Sequence, residues 1–145
     1  MIRQAERGDK EELLHLALKL WPESDRTELK NEFDMFIASD DNAVFIVQVN
    51  SETAGFAHCS LRHDYVAGAE SSPVGYLEGI YVSDGHRFKG YARQLVEACE
   101  SWSKKRGCSD FGSDCLIDNS ASIEMHAHLG FREVERIVSF HKRLT

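Results

Sequence analysis

The sequence predicts an α/β domain whose mixed, mostly antiparallel central sheet is flanked by helices. Three observations lead there. Strand-like blocks follow one another between Ala43 and Val82, each rich in β-branched and aromatic residues. They are joined by hairpin-type connections, which suits antiparallel neighbours. Helical segments precede this block, and helix and strand patterns alternate after it.

Taken in order, residues 2–5 form a short candidate strand. Residues 9–20 read as a helix: Leu13, Leu16, Ala17 and Leu20 make one apolar stripe, with Leu14 and Leu18 beside it. Trp21-Pro22 ends it, because a residue before proline is pushed out of the helical region. Asp25 with Glu28 resembles a capping pair, and the helix it opens runs to Ala38 with Leu29, Phe33, Phe36 and Ile37 inward. Residues 40–42 are a turn, 43–49 a strand, 50–53 a hairpin turn and 54–62 the next strand. A longer polar loop over 63–73 leads to a third strand, Val74–Val82. The segment 83–89 shows no apolar period, whereas 90–106 is the clearest helix. There Tyr91, Leu95, Ala98 and Trp102 share a face that Ala92, Val96 and Cys99 widen. Lys104, Lys105 and Arg106 suit the negative end of its dipole, and Gly107 stands where a C-cap belongs. A strand is expected over 108–115, a helix over 119–129 closed by Gly130, and a terminal strand or hairpin over 131–143. The predicted order is β-α-α-β-β-β-α-β-α-β, in one domain spanning residues 1–145.

Charge and composition narrow the function. The net charge is −7, from 24 acidic and 17 basic residues. That argues against a nucleic-acid partner, which wants clustered Lys and Arg, and agrees with a cationic substrate. No apolar run approaches the roughly 18 residues of a membrane span, and no signal-peptide pattern opens the chain. A soluble, cytoplasmic protein with no membrane partner is expected. Cys59, Cys99, Cys108 and Cys115 form no CxxC pair and no zinc spacing, so free, mostly buried thiols and no metal are expected.

Chemistry concentrates between the third strand and the long helix, at Asp84-Gly85-His86-Arg87-Phe88-Lys89-Gly90-Tyr91-Ala92. Glycine lets ligand atoms approach the backbone. The first N–H groups of the following helix lack intrahelical partners and point outward at the positive dipole end, which suits a pyrophosphate. Arg87 and Lys89 can add charge. An ordinary loop with a glycine at a helix cap is the competing reading. The segment is neither a Walker sequence nor GxGxxG, which disfavours nucleoside triphosphates and NAD.

Arg87-x-x-Gly90-x-Ala92 resembles the pyrophosphate motif of the GNAT acetyltransferases. Asn119-x-x-Ser122-x-x-Met125-His126-x-x-Leu129-Gly130-Phe131 resembles that family's C-terminal pattern. The predicted order of elements also matches the GNAT fold, so the resemblance covers essentially the whole chain. It implies direct transfer of acetyl from acetyl-CoA, the co-substrate, to an amine. Ile80, Tyr81 and Val82 would pair with the pantetheine through their backbone. Arg87, Phe88, Lys89, Gly90, Tyr91 and Ala92 would hold the pyrophosphate, and Asn119 would bond near the pantetheine arm. His126 stands where many members carry a tyrosine that protonates the leaving thiolate; an imidazole can donate a proton, or can simply pack. The resemblance also implies a homodimer.

Within that family the chain resembles aminoglycoside 6′-N-acetyltransferases. The likeness is carried by Trp21-Pro22, by the run from Ser60 to Val66 with Gly68, by Ser71-Ser72-Pro73-Val74-Gly75-Tyr76-Leu77-Glu78-Gly79-Ile80-Tyr81-Val82, by Ser113-Asp114 and by Glu135-Arg136-Ile137-Val138. Such polycationic, hydroxylated acceptors ask for carboxylates and flat aromatic faces. Glu78, Asp114 and Glu135 are the candidate carboxylates; Trp21 and Tyr65 are the candidate aromatics. Each also has a plain structural reading: Glu78 as a surface Glu, Asp114 as a cap, Trp21 as a helix-end core residue, Glu135 as an exposed terminal charge. Glu78 or Asp114 could accept the amine's proton, directly or through water, or could only position the cation. Cys115, next to Asp114, would carry a covalent route, but none is expected. The rival readings are a GNAT enzyme for another amine, such as a polyamine or protein amine, and a non-catalytic CoA-binding module.

Overall fold

The computed structural model describes residues 1–145 throughout. They form two compact units, residues 1–114 and 115–145.

The larger unit is built on a five-stranded sheet in the spatial order β1-β2-β3-β4-β5. Its strands are β1 (Ile2–Gln4), β2 (Asn42–Val49), β3 (Glu52–Arg62), β4 (Val74–Val82) and β5 (Phe111–Ser113). β1 to β4 are antiparallel neighbours, and β5 joins β4 in parallel. The mixed, mostly antiparallel sheet expected from the sequence is therefore present. The β2–β3 hairpin turns on Asn50 and Ser51, both left-handed at φ 52° and 65°. That geometry matches the natural twist of paired strands.

Helices α1 (Lys10–Leu20) and α2 (Arg26–Ala38) cover one face of the sheet. Asp25 Oδ1 accepts the Glu28 N–H at 3.0 Å and so starts α2, as the sequence suggested. Leu13, Leu14, Leu16 and Ala17 of α1 and Leu29 and Phe33 of α2 pack with Val44, Ile46 and Phe56 of the sheet. Phe33 sits edge-on to both Phe36 and Phe56, with ring centroids 5.9 Å apart in each pair. Each such fully buried side chain contributes roughly 1.5–3 kcal/mol. α3 (Tyr91–Lys105) packs on β2, β3 and β4 through Leu95, Val96, Cys99 and Trp102. Cys99 there meets Cys59 of β3. Side chains alternate along a strand. Phe56 and His58 of β3 accordingly meet α2, while Cys59 meets α3.

One strand is shorter than the sequence suggests. Residues 108–115 were expected to be extended, but only Phe111–Ser113 pair. The Cys108 N–H instead closes the end of α3 on the Ser103 carbonyl at 3.1 Å, and the ladder with β4 ends at Ser113.

The smaller unit holds α4 (Ser120–His128). Asn119 caps it, its Oδ1 accepting the Ser122 N–H at 3.1 Å. Gly130 closes it at φ 91°, with the Phe131 N–H reaching the His126 carbonyl at 3.0 Å. The terminal strand or hairpin expected over 131–143 is absent. An extended segment becomes a strand only when its backbone groups pair with a neighbour. Residues 131–145 have no such ladder within the single chain, so the last β of the predicted order is missing.

Candidate active site

A cavity of about 650 Å³ opens between the α1–α2 layer and the sheet, a size that suits a small molecule. β3 supplies His58, Ser60 and Arg62, alternate residues that share a face. Trp21 and Phe36 come from the ends of α1 and α2, and Glu78 comes from β4.

Glu78 reaches the cavity through a fault in the ladder. His58 faces Gly79 while Cys59 faces Leu77, which leaves Glu78 as the extra residue of a β-bulge. A bulge bends the strand and re-aims the inserted side chain. This accounts for a charged residue inside an otherwise apolar strand.

The Glu78 carboxylate is gripped from one side. Arg62 Nη2 lies 2.7 Å from Oε1 and Nε lies 3.1 Å from Oε2, and Ser60 Oγ donates to Oε2 at 2.6 Å. Burial pushes Glu78 toward the neutral form, but the hydrogen bonds from Arg62 and Ser60 outweigh it and hold the carboxyl below its ordinary range. The same bond raises Arg62 further. The guanidinium also lies 3.5 Å from the centroid of the Tyr76 ring. The Tyr76 hydroxyl donates to Asp114 Oδ2. Burial, and then that bond to Asp114, push the phenol upward, so it remains a protonated donor. Glu78 and Asp114 are thus joined through Arg62 and Tyr76.

His58 stacks on Phe36, ring centroids 4.0 Å apart, with Nε2 2.8 Å from Asn42 Oδ1. Burial brings it down to about 4, against the opposing pull of Glu78. The imidazole is neutral at pH 7, so Arg62 is the one cation that lines the cavity.

The expected acceptor residues divide. Trp21 caps the C-terminal end of α1, packs edge-on to Phe56 at 6.3 Å and lines the cavity, so it is both a core and a cavity residue. Glu78 is in the cavity and Asp114 is linked to it. Tyr65 is 82% exposed in the β3–β4 loop and does not line the cavity. Glu135 is exposed in the smaller unit.

The segment expected to hold the cofactor runs from the end of β4 into the start of α3. Ile80, Tyr81 and Val82 pair with Ala57, Phe56 and Gly55 of β3, but the β4–β5 ladder stops at Leu77 and Ser113. The outer backbone edge of β4 past Leu77 therefore lacks a strand partner. A 3-10 turn (Asp84–His86) follows, then Phe88 at φ 64° and Gly90 at φ 84° as the N-cap of α3. Gly90 has open space where a Cβ would stand, and the first turn of α3, which contains Tyr91 and Ala92, carries no acidic residue. The N-cap residue itself offers no side chain to the first N–H groups, an arrangement that suits an anion. Arg87 folds back onto β4: its Nε donates to the Val82 carbonyl at 2.9 Å, and Nη2 lies 3.3 Å from Asp84. Phe88 and Lys89 are exposed.

In the smaller unit, Asn119 is spent on capping α4. His126 Nδ1 lies 2.7 Å from the Ser122 carbonyl, and its ring meets Phe131 edge-on at 5.0 Å.

Sequence reasoning named none of Arg62, Tyr76, His58 and Phe36 as a site residue. The signal was present in the period-2 polar stripe His58, Ser60, Arg62 inside an otherwise apolar strand. A polar stripe on the covered face of a sheet needs partners, and here they are Asn42 and Glu78.

Comparison with known proteins agrees with this geometry. Residues 10–131 match the acetyltransferase (GNAT) family. The aminoglycoside N(6′)-acetyltransferase type 1 of Acinetobacter haemolyticus is 36% identical over 99% of this chain and 98% of its own length. That of Stenotrophomonas maltophilia is 40% identical over 96% of this chain and 90% of its own. The structure of AAC(6′)-Iy with the bisubstrate analog CoA-S-monomethyl-acetylneamine superposes with a TM-score of 0.95 at 37% identity, covering 99% of this chain and 97% of that one. The complex of AAC(6′)-Iy with CoA gives the same TM-score and identity over 99% and 94% of the two chains. The chain belongs to the GNAT acetyltransferase family.

Proposed function

We propose that residues 1–145 act as a single aminoglycoside 6′-N-acetyltransferase domain. It moves the acetyl group of acetyl-CoA to the 6′-amine by direct attack in a ternary complex, and so confers resistance. The observation that carries this reading is Glu78, an ionised carboxylate aimed by a β-bulge into a cavity walled by Trp21. Relatives of that activity span nearly the whole chain.

In this scheme the outer edge of β4 at Ile80, Tyr81 and Val82 takes the pantetheine amides, and the start of α3 takes the pyrophosphate. Glu78 is held below the usual carboxylate range, which suits it to anchoring an ammonium better than to removing its proton. The reaction still requires a neutral amine. Asp114, with Tyr76 on one oxygen, is the second carboxylate for positioning the amine or relaying its proton through water. Trp21 gives a flat face to a sugar ring, and Tyr65 and Glu135 are outer contacts for the rest of the acceptor. Asn119 and His126 belong to the cofactor side. The protein works in the cytoplasm as a homodimer, without metal or nucleic acid.

The deciding experiment is acetyl-CoA turnover, read as free thiol, with kanamycin or tobramycin beside paromomycin, whose 6′ position carries a hydroxyl. Turnover of the first two alone is expected. Equal rates on all three reject the 6′-amine assignment, and turnover restricted to polyamines or peptides moves the chain to another acceptor.

A further inference from the structure

Glu78 faces the cavity, yet Arg62 already binds both of its oxygens, at 2.7 and 3.1 Å. The Arg62 side chain is 42% exposed and its pair is not sealed from solvent. In that same position its guanidinium also lies on the Tyr76 ring, 3.5 Å from the centroid, and that ring is tethered to Asp114. A guanidinium on an aromatic face keeps much of its stabilisation when a carboxylate leaves it. The charged and titratable groups around Glu78 are few. β3 offers Arg62 and His58, β4 offers Tyr76, the end of β5 offers Asp114, and α2 offers Glu32 on the cavity wall. Trp21 and Ser24, between α1 and α2, carry no charge. His58 is neutral at pH 7 and Glu32 and Asp114 are acids, so Arg62 alone competes with an incoming ammonium for Glu78.

We propose that Arg62 is a displaceable internal counter-cation: it holds Glu78 ionised in the free protein and yields the carboxylate to an ammonium of the acceptor. It thereby sets both the affinity of the cavity for polycations and the pH below which the cavity stops taking them. Arg62 is a positioning and specificity residue, not a catalytic one. This rests on reading the cavity as the acceptor site.

Two opposing effects follow from removing the guanidinium. Burial then acts on Glu78 without its ion pair, so the carboxyl titrates at higher pH. Above that pH, the cavity is one unit charge more negative and binds a polycation more tightly. A purely structural arginine would do neither; its loss would lower melting temperature and kcat and leave or raise KM.

The test uses Arg62→Gln and Arg62→Lys in the full chain. Glu78 is followed from pH 3 to 9 by carbon NMR of carboxyl-labelled glutamate, assigned with Glu78→Gln, and steady-state rates with kanamycin are measured from pH 4 to 9. In Arg62→Gln the Glu78 titration and the acid limb of kcat/KM should rise by about one pH unit or more. At pH 8 its KM for kanamycin should fall roughly three- to tenfold with a smaller change in kcat. Arg62→Lys, which keeps the charge but loses the two-point grip, should shift both in the same direction by less, and it decides the matter if Arg62→Gln does not fold. An unmoved Glu78 titration, or a KM at pH 8 equal to or above wild type in a folded variant, overturns the proposal. If the wild-type protein turns over no aminoglycoside, the acceptor reading fails, and the NMR titration still decides whether Arg62 holds Glu78 ionised.

Discussion

Trp21 and Gly79 occupy one another's space. A Cβ on Gly79 would stand 2.7 Å from both Cζ2 and Cη2 of the Trp21 indole, closer than real side chains approach. Pro22 fixes the chain just after Trp21, and Phe56 backs the ring from the core side. The missing side chain of Gly79 is therefore what lets the indole edge at Cζ2 and Cη2 pack against β4, one residue from Glu78.

Gly79→Ala should push the indole out of this seat. Overpacking of this kind costs about 1–3 kcal/mol. The melting temperature should fall by roughly 3–10 °C, and KM for the aminoglycoside should rise while affinity for CoA is kept. Adding Trp21→Phe shortens the ring and should restore part of the melting temperature. If the double variant is no more stable than Gly79→Ala alone, the indole is not what the methyl strikes.

His58 should make stability fall on mild acidification. In the unfolded chain it titrates near its ordinary 6.5, and in the fold burial lowers it to about 4. Between those values the unfolded chain binds a proton that the folded chain refuses. Stability is then full above about pH 6.5, declines as pH falls toward about 4, and stops declining for this reason below it. The loss is on the order of 3 kcal/mol. Urea unfolding at pH 7 and 4.5 should show a much smaller difference for His58→Gln than for wild type. Glu78 acts in a lower window. Its carboxyl is held below 4.5, so its contribution is present above that pH and is lost only as pH drops through the lower folded value. An equal slope between pH 4.5 and 7 in wild type and His58→Gln means another group carries the effect.

Gly90 separates cofactor grip from acceptor grip. Its φ of 84° is one that glycine adopts freely and alanine does not, and no neighbour blocks a methyl there. Gly90→Ala should therefore act only by rotating the backbone at the start of α3, where the first-turn N–H groups point. Calorimetry should show CoA binding weakened by roughly tenfold, with KM for the aminoglycoside nearly unchanged. Undiminished CoA affinity would mean that the pyrophosphate does not sit on these groups.

The sequence made the skeleton legible wherever the signal was local. The α1 stripe, the Asp25 cap, the Trp21-Pro22 stop and the Gly90 loop are each written within a few residues. The site was only half legible. Glu78 stood out as a charge in an apolar strand, but its aim depends on a register shift between β3 and β4 that no single strand encodes. Arg62 and Tyr76 act on one another only because strand pairing sets Arg62 against Val74, close to Tyr76 on the same strand. The length of β5 was overread because Cys108 looks strand-like by composition while its N–H is claimed by the end of α3.

The C-terminal segment supplies the remaining test. Val134, Val138, Phe140 and Leu144 recur at even positions, Ile137 adds to them, and all five are exposed. Glu133, Glu135, Ser139, His141 and Arg143 lie at odd positions beside them, while Arg136 and Lys142 interrupt the even set and Ile137 falls on the odd one. Apart from those interruptions this is the alternation of a half-buried strand, in a segment that forms no ladder within the chain. Leaving such a face in water is unfavourable, and a second copy offers both the missing backbone partners and an equivalent apolar face. The wild-type protein should therefore sediment near twice its 16.4 kDa chain mass at micromolar concentration. Val138→Glu with Phe140→Glu puts two charges on that face and should give the monomer without changing the fold of residues 1–114, seen as unaltered circular dichroism of the helices. A wild-type chain that sediments at 16.4 kDa over the whole concentration range rejects the homodimer. A double variant that remains dimeric moves the interface away from this segment.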